Sequence, residues 1–342
     1  MADSQHITIK DIAQHANVAV STVSRVLNNL DRVSPATRQK VLDTVKELGF
    51  TPNSIAVSMV TGQTKMILIV VPDFINSFFG AVIQGAEQYL RAHGYLTMVT
   101  STEDKANTQI SAILKQLDYA VDGAIIIPTG DSAEKYKSFS KDIVFVDRTI
   151  PDANYDAVQV DNFGGAYQLT ENLIRAGHSK IGIITGGSRL NIGRDRLNGC
   201  IQAMKDNGLL LEERFIARGE LYEEDGYRHT YALLRQPDPP TAVIACNNLI
   251  CSGCLFALRE MGLTIGRDIS LVAFDDQLLA SMSQPGITVI DRPTTEMGSM
   301  AARMLLERLQ SDSPGNHRTV TMPVKLICRN SVCNLSPHSA EQ

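Results

Sequence analysis

The sequence predicts a multidomain chain, with an all-α head joined to a larger α/β body. Three observations predict it. The first 50 residues carry three short amphipathic helical patterns around a tight turn. Beyond residue 65, short apolar runs alternate with helical patterns, and 342 residues exceed what one compact core ordinarily holds.

Composition excludes several classes. With 44% hydrophobic and 20% charged residues the chain is neither disordered nor fibrous. Met1-Ala-Asp-Ser-Gln-His6 has no basic stretch followed by an apolar run, and no segment approaches the roughly 20 apolar residues that cross a bilayer. A cytoplasmic protein with no membrane partner is the expectation. Six cysteines are too few for a disulfide scaffold and read as reduced thiols, three of them (Cys246, Cys251, Cys254) close together. The net charge of −5 does not point to nucleic acid, and residues 1–62 hold six basic against five acidic residues, a surplus of one. Motif rather than charge must therefore identify the head.

In Thr8 to Ala16, Ile9, Ile12, Ala13 and Ala16 recur at helical spacing. Asn17 tolerates the left-handed conformation of a tight turn. A second helix runs from about Ser21 to Asn28, with Val23, Val26 and Leu27 on one face and Ser21, Thr22 and Arg25 on another. The third has Ser34 as cap, Pro35 at its first position, an apolar stripe of Val41, Leu42, Val45 and Leu48, and Gly49 at its exit. Three such helices fit a helix-turn-helix, whose second helix enters the major groove; the plain alternative is a small helical subdomain.

Thr8-Ile-Lys-Asp-Ile-Ala13, Val20-Ser-Thr-Val-Ser-Arg-Val-Leu-Asn28, Val33-Ser34, Thr37-Arg38 and Leu48-Gly-Phe-Thr-Pro-Asn53 closely resemble the head of the lac repressor (LacI/GalR) family. The resemblance implies a helix-turn-helix DNA-binding domain at 1–51, in which Val20 and Ser21 read bases beside Thr22 and Arg25. Thr8, Ile9, Asn28, Arg32, Ser34 and Thr37 complete the implied contact set. Arg25 can fork onto guanine or phosphate, Ser21 and Thr22 can donate or accept, and Val20 can meet a thymine methyl. Ala19 stands where the family usually has a capping serine, so the helix start is expected to weaken or shift to Ser21.

Asn53 to Val60 aligns with the family's hinge helix, within a linker at 52–64. Helices this short are marginal alone and need partner and DNA contacts. Met59 falls at the family's apolar wedge, usually leucine, which enters the minor groove. Val57 and Val60 are more apolar than that pattern.

The body, 65–332, has apolar runs at Met66–Val71, Leu96–Val99, Ala124–Ile127, Ile143–Val146, Ile181–Ile184, Ala242–Ala245 and Leu271–Phe274. They read as buried parallel strands of a doubly wound α/β fold, which binds ligands at the carboxyl ends of its strands. Between the first two runs, Val82, Ile83, Ala86, Tyr89 and Leu90 form one helical face that Gly94 terminates. The loops at the strand ends carry Asp73, Phe74, Phe78, Phe79, Asp147, Arg148, Asp161, Arg194, Arg196, Asn247, Asn248, Asp275 and Asp276. Side chains that make paired hydrogen bonds, mixed with flat apolar rings, suit a sugar or nucleoside.

The resemblance extends here through Asn76-Ser-Phe-Phe79, Val160-Asp-Asn162, Gly177-His178, Arg196-Leu-Asn-Gly199, Asn247-Asn248, Asp268 to Asp276 and Arg292-Pro293, and so spans nearly the whole chain. It implies an effector-binding and dimerisation domain of two periplasmic-binding-protein-like lobes. The N-lobe covers about 65–162 and 294–322, the C-lobe about 163–291 and 323–332, and a polar tail follows at 333–342. Phe78, Asp147, Arg196, Asn247 and Asp275 are the implied effector contacts, with Asp73 and Phe74 beside them. The family usually has aspartate where Asn248 stands; losing that carboxylate near Arg194 and Arg196 allows an anionic effector. The implied partners are palindromic operator DNA, a second copy of the chain, and a sugar, sugar acid, sugar phosphate or nucleoside.

Plainer readings stand beside these. Asp161 and Asp275 could cap helices, Arg196 could form a surface ion pair, and Cys251 and Cys254 read as buried thiols rather than metal ligands. No Walker loop, GxGxxG after a strand, HExxH or GxSxG is present, so no catalytic residue, cofactor or metal is assigned. One rival is a sugar-transport binding protein, which should carry an export signal and lack the head. Another is a sugar enzyme using Asp275 and Asp276, which as neighbours on a loop are badly placed to flank one bond. The tail lacks apolar heptads, so a coiled-coil tetramer is not expected. Whether the effector induces or corepresses is open.

Overall fold

The computed structural model describes residues 7–27, 33–50, 62–103, 109–130, 132–187, 190–276, 278–311 and 315–335. The chain forms two compact units, Met1–Thr64 and Lys65–Gln342.

In the first unit, Thr8 caps α1 (Ile9–His15) through a reciprocal pair with Asp11. Asn17 takes the left-handed conformation (φ 48°) that the turn requires. α2 spans Val20–Leu27, and the Ala19 carbonyl accepts the N–H groups of Thr22 (2.9 Å) and Val23 (3.2 Å). The helix therefore starts at Val20 despite lacking a serine cap, and the expected shift to Ser21 does not occur. α3 (Pro35–Glu47) is capped by Ser34, whose Oγ accepts the Thr37 N–H at 3.2 Å, and leaves through Gly49 at φ 61°. Ile12, Val23, Val26 and Val41 close the small core. Leu42, predicted on that stripe, is 43% exposed; Thr44 takes the inward place instead, its hydroxyl donating to the Lys40 carbonyl. Asn28, Arg32 and the expected hinge helix with Met59 lie outside the described residues.

The second unit holds two six-stranded sheets. The first contains β1 (Met66–Val71), β2 (Leu96–Ser101), β3 (Gly123–Ile126), β4 (Asp142–Val146), β5 (Asp156–Val160) and β11 (Thr319–Met322), in the order β11-β5-β4-β3-β1-β2. The second contains β6 (Ile181–Gly186), β7 (Ile216–Gly219), β8 (Ala242–Ala245), β9 (Ser270–Phe274), β10 (Thr288–Asp291) and β12 (Lys325–Ile327), in the order β12-β10-β9-β8-β6-β7. All pairings are parallel except that of β10 with β12. Helices α4 (Ser77–Ala92), α5 (Gln109–Leu117) and α11 (Thr294–Leu309) cover the first sheet. Helices α6 (Asn162–Arg175), α7 (Asn191–Asp206), α8 (Glu223–Leu234), α9 (Asn248–Glu260) and the short α10 (Leu278–Met282) cover the second.

β2 departs from the buried strand expected of it. It is the edge strand, and Leu96 is 68% exposed. The chain passes between the sheets three times, at Asp161, at Arg292-Pro293 and at Pro323-Val324.

α4 and α11 touch backbone to backbone where Gly85 and Gly298 cross. A Cβ on Gly298 would stand 2.0 Å from the Val82 carbonyl oxygen, and one on Gly85 1.9 Å from that of Thr295. Neither carbonyl can rotate away. Gly298→Ala is expected to cost about 1–3 kcal/mol by overpacking, read as a lower urea midpoint; an unmoved midpoint would mean that the helices part freely.

Candidate functional site

The two sheets present equivalent corners to each other. Asp147 follows β4 and Asp275 follows β9, each one strand in from the pair that carries the crossings. Each donates its backbone N–H at 2.8 Å to the neighbouring strand, Asp147 to Val158 and Asp275 to Ile290. Each also holds a left-handed backbone, at φ 65° and 75°. Aspartate tolerates that region better than most residues, but the conformation still costs energy and is characteristic of functional corners. Both carboxylates are buried, at 3% and 4% exposure.

Arg292, on the second crossing, joins them. Its Nη1 donates to Asp147 Oδ1 at 2.5 Å and its Nε to Asp275 Oδ1, while the guanidinium lies 3.8 Å from the Phe78 ring centroid. Burial alone would lower the Arg292 pKa; the charges of Asp275 and Asp147 outweigh it and leave it above the ordinary value. Arg148 approaches Asp147 from the other side at 3.8 Å.

Arg196 reaches the same region from α7. It is 1% exposed, stacks 4.0 Å from the Phe274 ring centroid, and donates Nε to Asn162 Oδ1 at 2.8 Å and Nη1 to the Cys246 carbonyl. Burial first, and the charge of Arg292 second, push its pKa down to about 10. Its Nη2 is buried without a hydrogen-bond partner, as is Asp275 Oδ2. The surface ion pair considered for Arg196 is therefore wrong; exposed Arg194 forms one instead, with Asp195.

Two neutral bridges also span the sheets. Asn248 Nδ2 donates to Asn76 Oδ1 at 2.8 Å, and the Thr149 N–H donates to Asn191 Oδ1 at 2.9 Å. A cavity of about 190 Å³ adjoins them, lined by Asn76, Ser77, Asn248, Asp275 and Leu278 among others.

The structure thus gathers Phe78, Asp147, Arg196 and Asp275 with Arg292, which sequence reasoning noted only as part of a motif. The remaining expected contacts are engaged elsewhere. Asp73 Oδ1 accepts the N–H groups of Ile75 and Asn76, both at 2.8 Å, and Phe74 is 63% exposed. Asn247 caps α9 through Ile250 N–H at 2.7 Å and donates to the Leu221 carbonyl at 2.9 Å. Asp161 caps α6 through Gly164 N–H at 2.8 Å, whereas Asp275 caps nothing. Asn162, Asn191 and Asn76 were not selected, because each is a helix-start residue whose long-range partner has no local signature. Cys246, Cys251 and Cys254 are buried, and burial pushes the Cys246 thiol up to about 11, far from thiolate chemistry at neutral pH. Among the described residues no His, Cys, Asp or Glu group could hold a metal, and no helix is long and apolar enough to cross a membrane.

On the head, α2 turns Val20 (45% exposed), Ser21 and Arg25 outward, with Thr22 half-buried. The hydroxyls of Thr8, Ser34 and Thr37 are engaged in helix caps, and Ile9 packs partly against the core. The implied contacts nearest the groove are thus the free outer face of α2.

A short helical head before two facing parallel sheets defines a DNA-binding regulator with a periplasmic-binding-protein-like body. Known proteins agree. Residues 8–53 match the signature of bacterial regulatory proteins of the lacI family, and 170–332 that of a periplasmic binding protein-like domain. The chain is 33% identical over 331 residues to the ribose operon repressor of Haemophilus influenzae, covering 96% of this chain and 99% of that one. It is 30% identical over 328 residues to the transcriptional repressor CytR of Escherichia coli, covering 95% and 96%. Among solved structures it is similar to a transcriptional regulator CelR–cellobiose complex (28% identity, TM-score 0.71, 95% and 99% covered). The lac repressor dimer bound to operator and the anti-inducer ONPF shares the fold (23% identity, TM-score 0.82, 96% and 100% covered). The chain belongs to the LacI family of transcriptional regulators.

Proposed function

We propose that the chain is a cytoplasmic, sequence-specific repressor that binds a palindromic operator as a homodimer and is controlled by a polyhydroxylated small molecule held between its two sheets. The observation that carries the effector reading is the Asp147–Arg292–Asp275 bridge with Arg196 beside it, a buried polar constellation at strand ends where α/β folds bind ligands. Names of relatives agree in class: a ribose operon repressor and a cellobiose complex. The relatives are repressors rather than enzymes, and we read the cleft as a binding site without turnover.

For dimerisation, Phe256 (51% exposed), Leu278 (72%) and Met282 (69%) offer an apolar surface on the second-sheet side of the body. A two-fold protein would match a two-fold operator, and a ligand preferring one arrangement of the sheets would change operator affinity by linkage. At the DNA, Val20, Ser21, Thr22 and Arg25 form the reading face.

Operator duplexes selected from a random pool with the full-length protein provide the test. Arg25→Ala is expected to weaken the selected duplex about tenfold to hundredfold while leaving the head folded, the usual loss for one base-reading side chain. Unchanged affinity and salt dependence would remove Arg25 from the interface.

A further inference from the structure

Two buried atoms of opposite character remain unsatisfied in the cleft. Arg196 Nη2 is a charged donor with no acceptor, and Asp275 Oδ2 is an anionic acceptor with no donor. Burying either without a partner is costly, and a charge more so. They share one neighbourhood, since Asp275 and Asp147 both act electrostatically on Arg196.

What separates a neutral from an anionic occupant is how the carboxylates are committed. Asp147 Oδ1 takes Arg292 at 2.5 Å, and Arg148 stands 3.8 Å from its Oδ2. Asp275 Oδ1 is taken by Arg292. Arg196 has only neutral partners, the Asn162 amide and the Cys246 carbonyl, and among the described residues no carboxylate lies within 4.0 Å of it. The position that could have brought a third carboxylate, Asn248, is neutral and hydrogen-bonded to Asn76. The cleft therefore holds a dry guanidinium whose counter-charge has to arrive from outside, beside a carboxylate oxygen that awaits a hydroxyl.

We infer that the effector is a hydroxy acid of the sugar-acid class, its carboxylate on Arg196 Nη2 and a ring or chain hydroxyl donating to Asp275 Oδ2. The inference rests on the reading that the effector lies between the sheets. One unpaired guanidinium matches the single charge of a carboxylate better than the two of a phosphate ester, and a charge-assisted hydrogen bond is about twice as strong as a neutral one.

Thermal-shift and calorimetric titrations on the full chain would compare D-gluconate, D-glucuronate and D-galacturonate with D-glucose, D-galactose, D-ribose, adenosine, glucose 6-phosphate and D-galacturonamide. At least one acid should raise the unfolding midpoint with concentration, and the neutral counterpart of that acid should bind at least tenfold more weakly. Arg196→Gln should abolish the acid's shift while circular dichroism and the ligand-free midpoint show an intact fold. If Arg196→Gln does not fold, the comparison of the acid with its amide or parent sugar on the unaltered protein decides alone. No response to any acid, or an equal or stronger response to a neutral sugar, adenosine or glucose 6-phosphate, overturns the inference. In the case of such a rival ligand, its loss in Arg196→Gln would keep the cleft reading intact. An acid that binds folded Arg196→Gln unchanged overturns both.

Discussion

Arg292→Met is expected to destabilise the body by about 3–5 kcal/mol, because it leaves two buried carboxylates without their shared cation. Methionine nearly conserves the apolar volume over Phe78, so lost packing contributes little. The electrostatic origin can be isolated. Adding Asp147→Asn and Asp275→Asn to Arg292→Met removes the stranded charges and should recover a good part of the loss, a non-additivity that independent sites do not give. Denaturant unfolding of the three proteins measures it. A loss under about 1 kcal/mol, or a triple variant worse than the sum of its parts, would mean that the bridge is incidental.

The second large effect is expected far from the cleft, at Asp156. This residue opens β5 with a side chain 1% exposed, and both its oxygens face the Arg308 guanidinium of α11, at 2.6 and 2.9 Å. The Arg318 N–H adds a third bond at 2.7 Å and ties down the approach to β11. Removing the carboxylate in Asp156→Ala strands a mostly buried arginine, and about 3–5 kcal/mol should be lost at neutral pH. Burial alone would raise the Asp156 pKa, but the Arg308 hydrogen bond, the Arg318 N–H and the Arg308 charge together hold it below the ordinary 3.8. The folded state thus binds the proton more weakly than the unfolded state. The stabilisation is complete above the unfolded value of 3.8 and drains away as pH falls through the lower folded value. The gap in unfolding free energy between wild type and Asp156→Ala should be constant from pH 7 to about 5 and shrink below about 4. A gap that widened on acidification would contradict the assignment.

Strands buried on both faces were legible in the sequence because burial leaves nothing but apolar residues. Met66–Val71, Ala242–Ala245 and Leu271–Phe274 are of this kind. β11 and β12 could not be read that way. Thr319–Met322 and Lys325–Ile327 are short, outermost in their sheets and partly solvated, so their pattern resembles any loop. At the site, Asp147 and Asp275 stood out because each follows an apolar run at a place where such folds bind ligands. Arg292 did not. Its partners are 17 and 145 residues away, and only folding shows that one crossing segment touches a corner of each sheet. On the head, Ser34, Pro35 and Gly49 marked α3 because caps are local chemistry, whereas Leu42 was misplaced because its inward or outward direction depends on the packing of all three helices.

Three side-by-side connections between the sheets have a mechanical consequence. A single strand would let the halves twist, slide and swing; three, of which two are only two residues long, suppress shear and torsion and leave one soft rotation about the line joining them. Arg292 sits on that axis and holds a carboxylate from either side. Whatever binds between the sheets can then do work along a single angular coordinate. Ligands of quite different shape would be distinguished only by the angle at which each comes to rest.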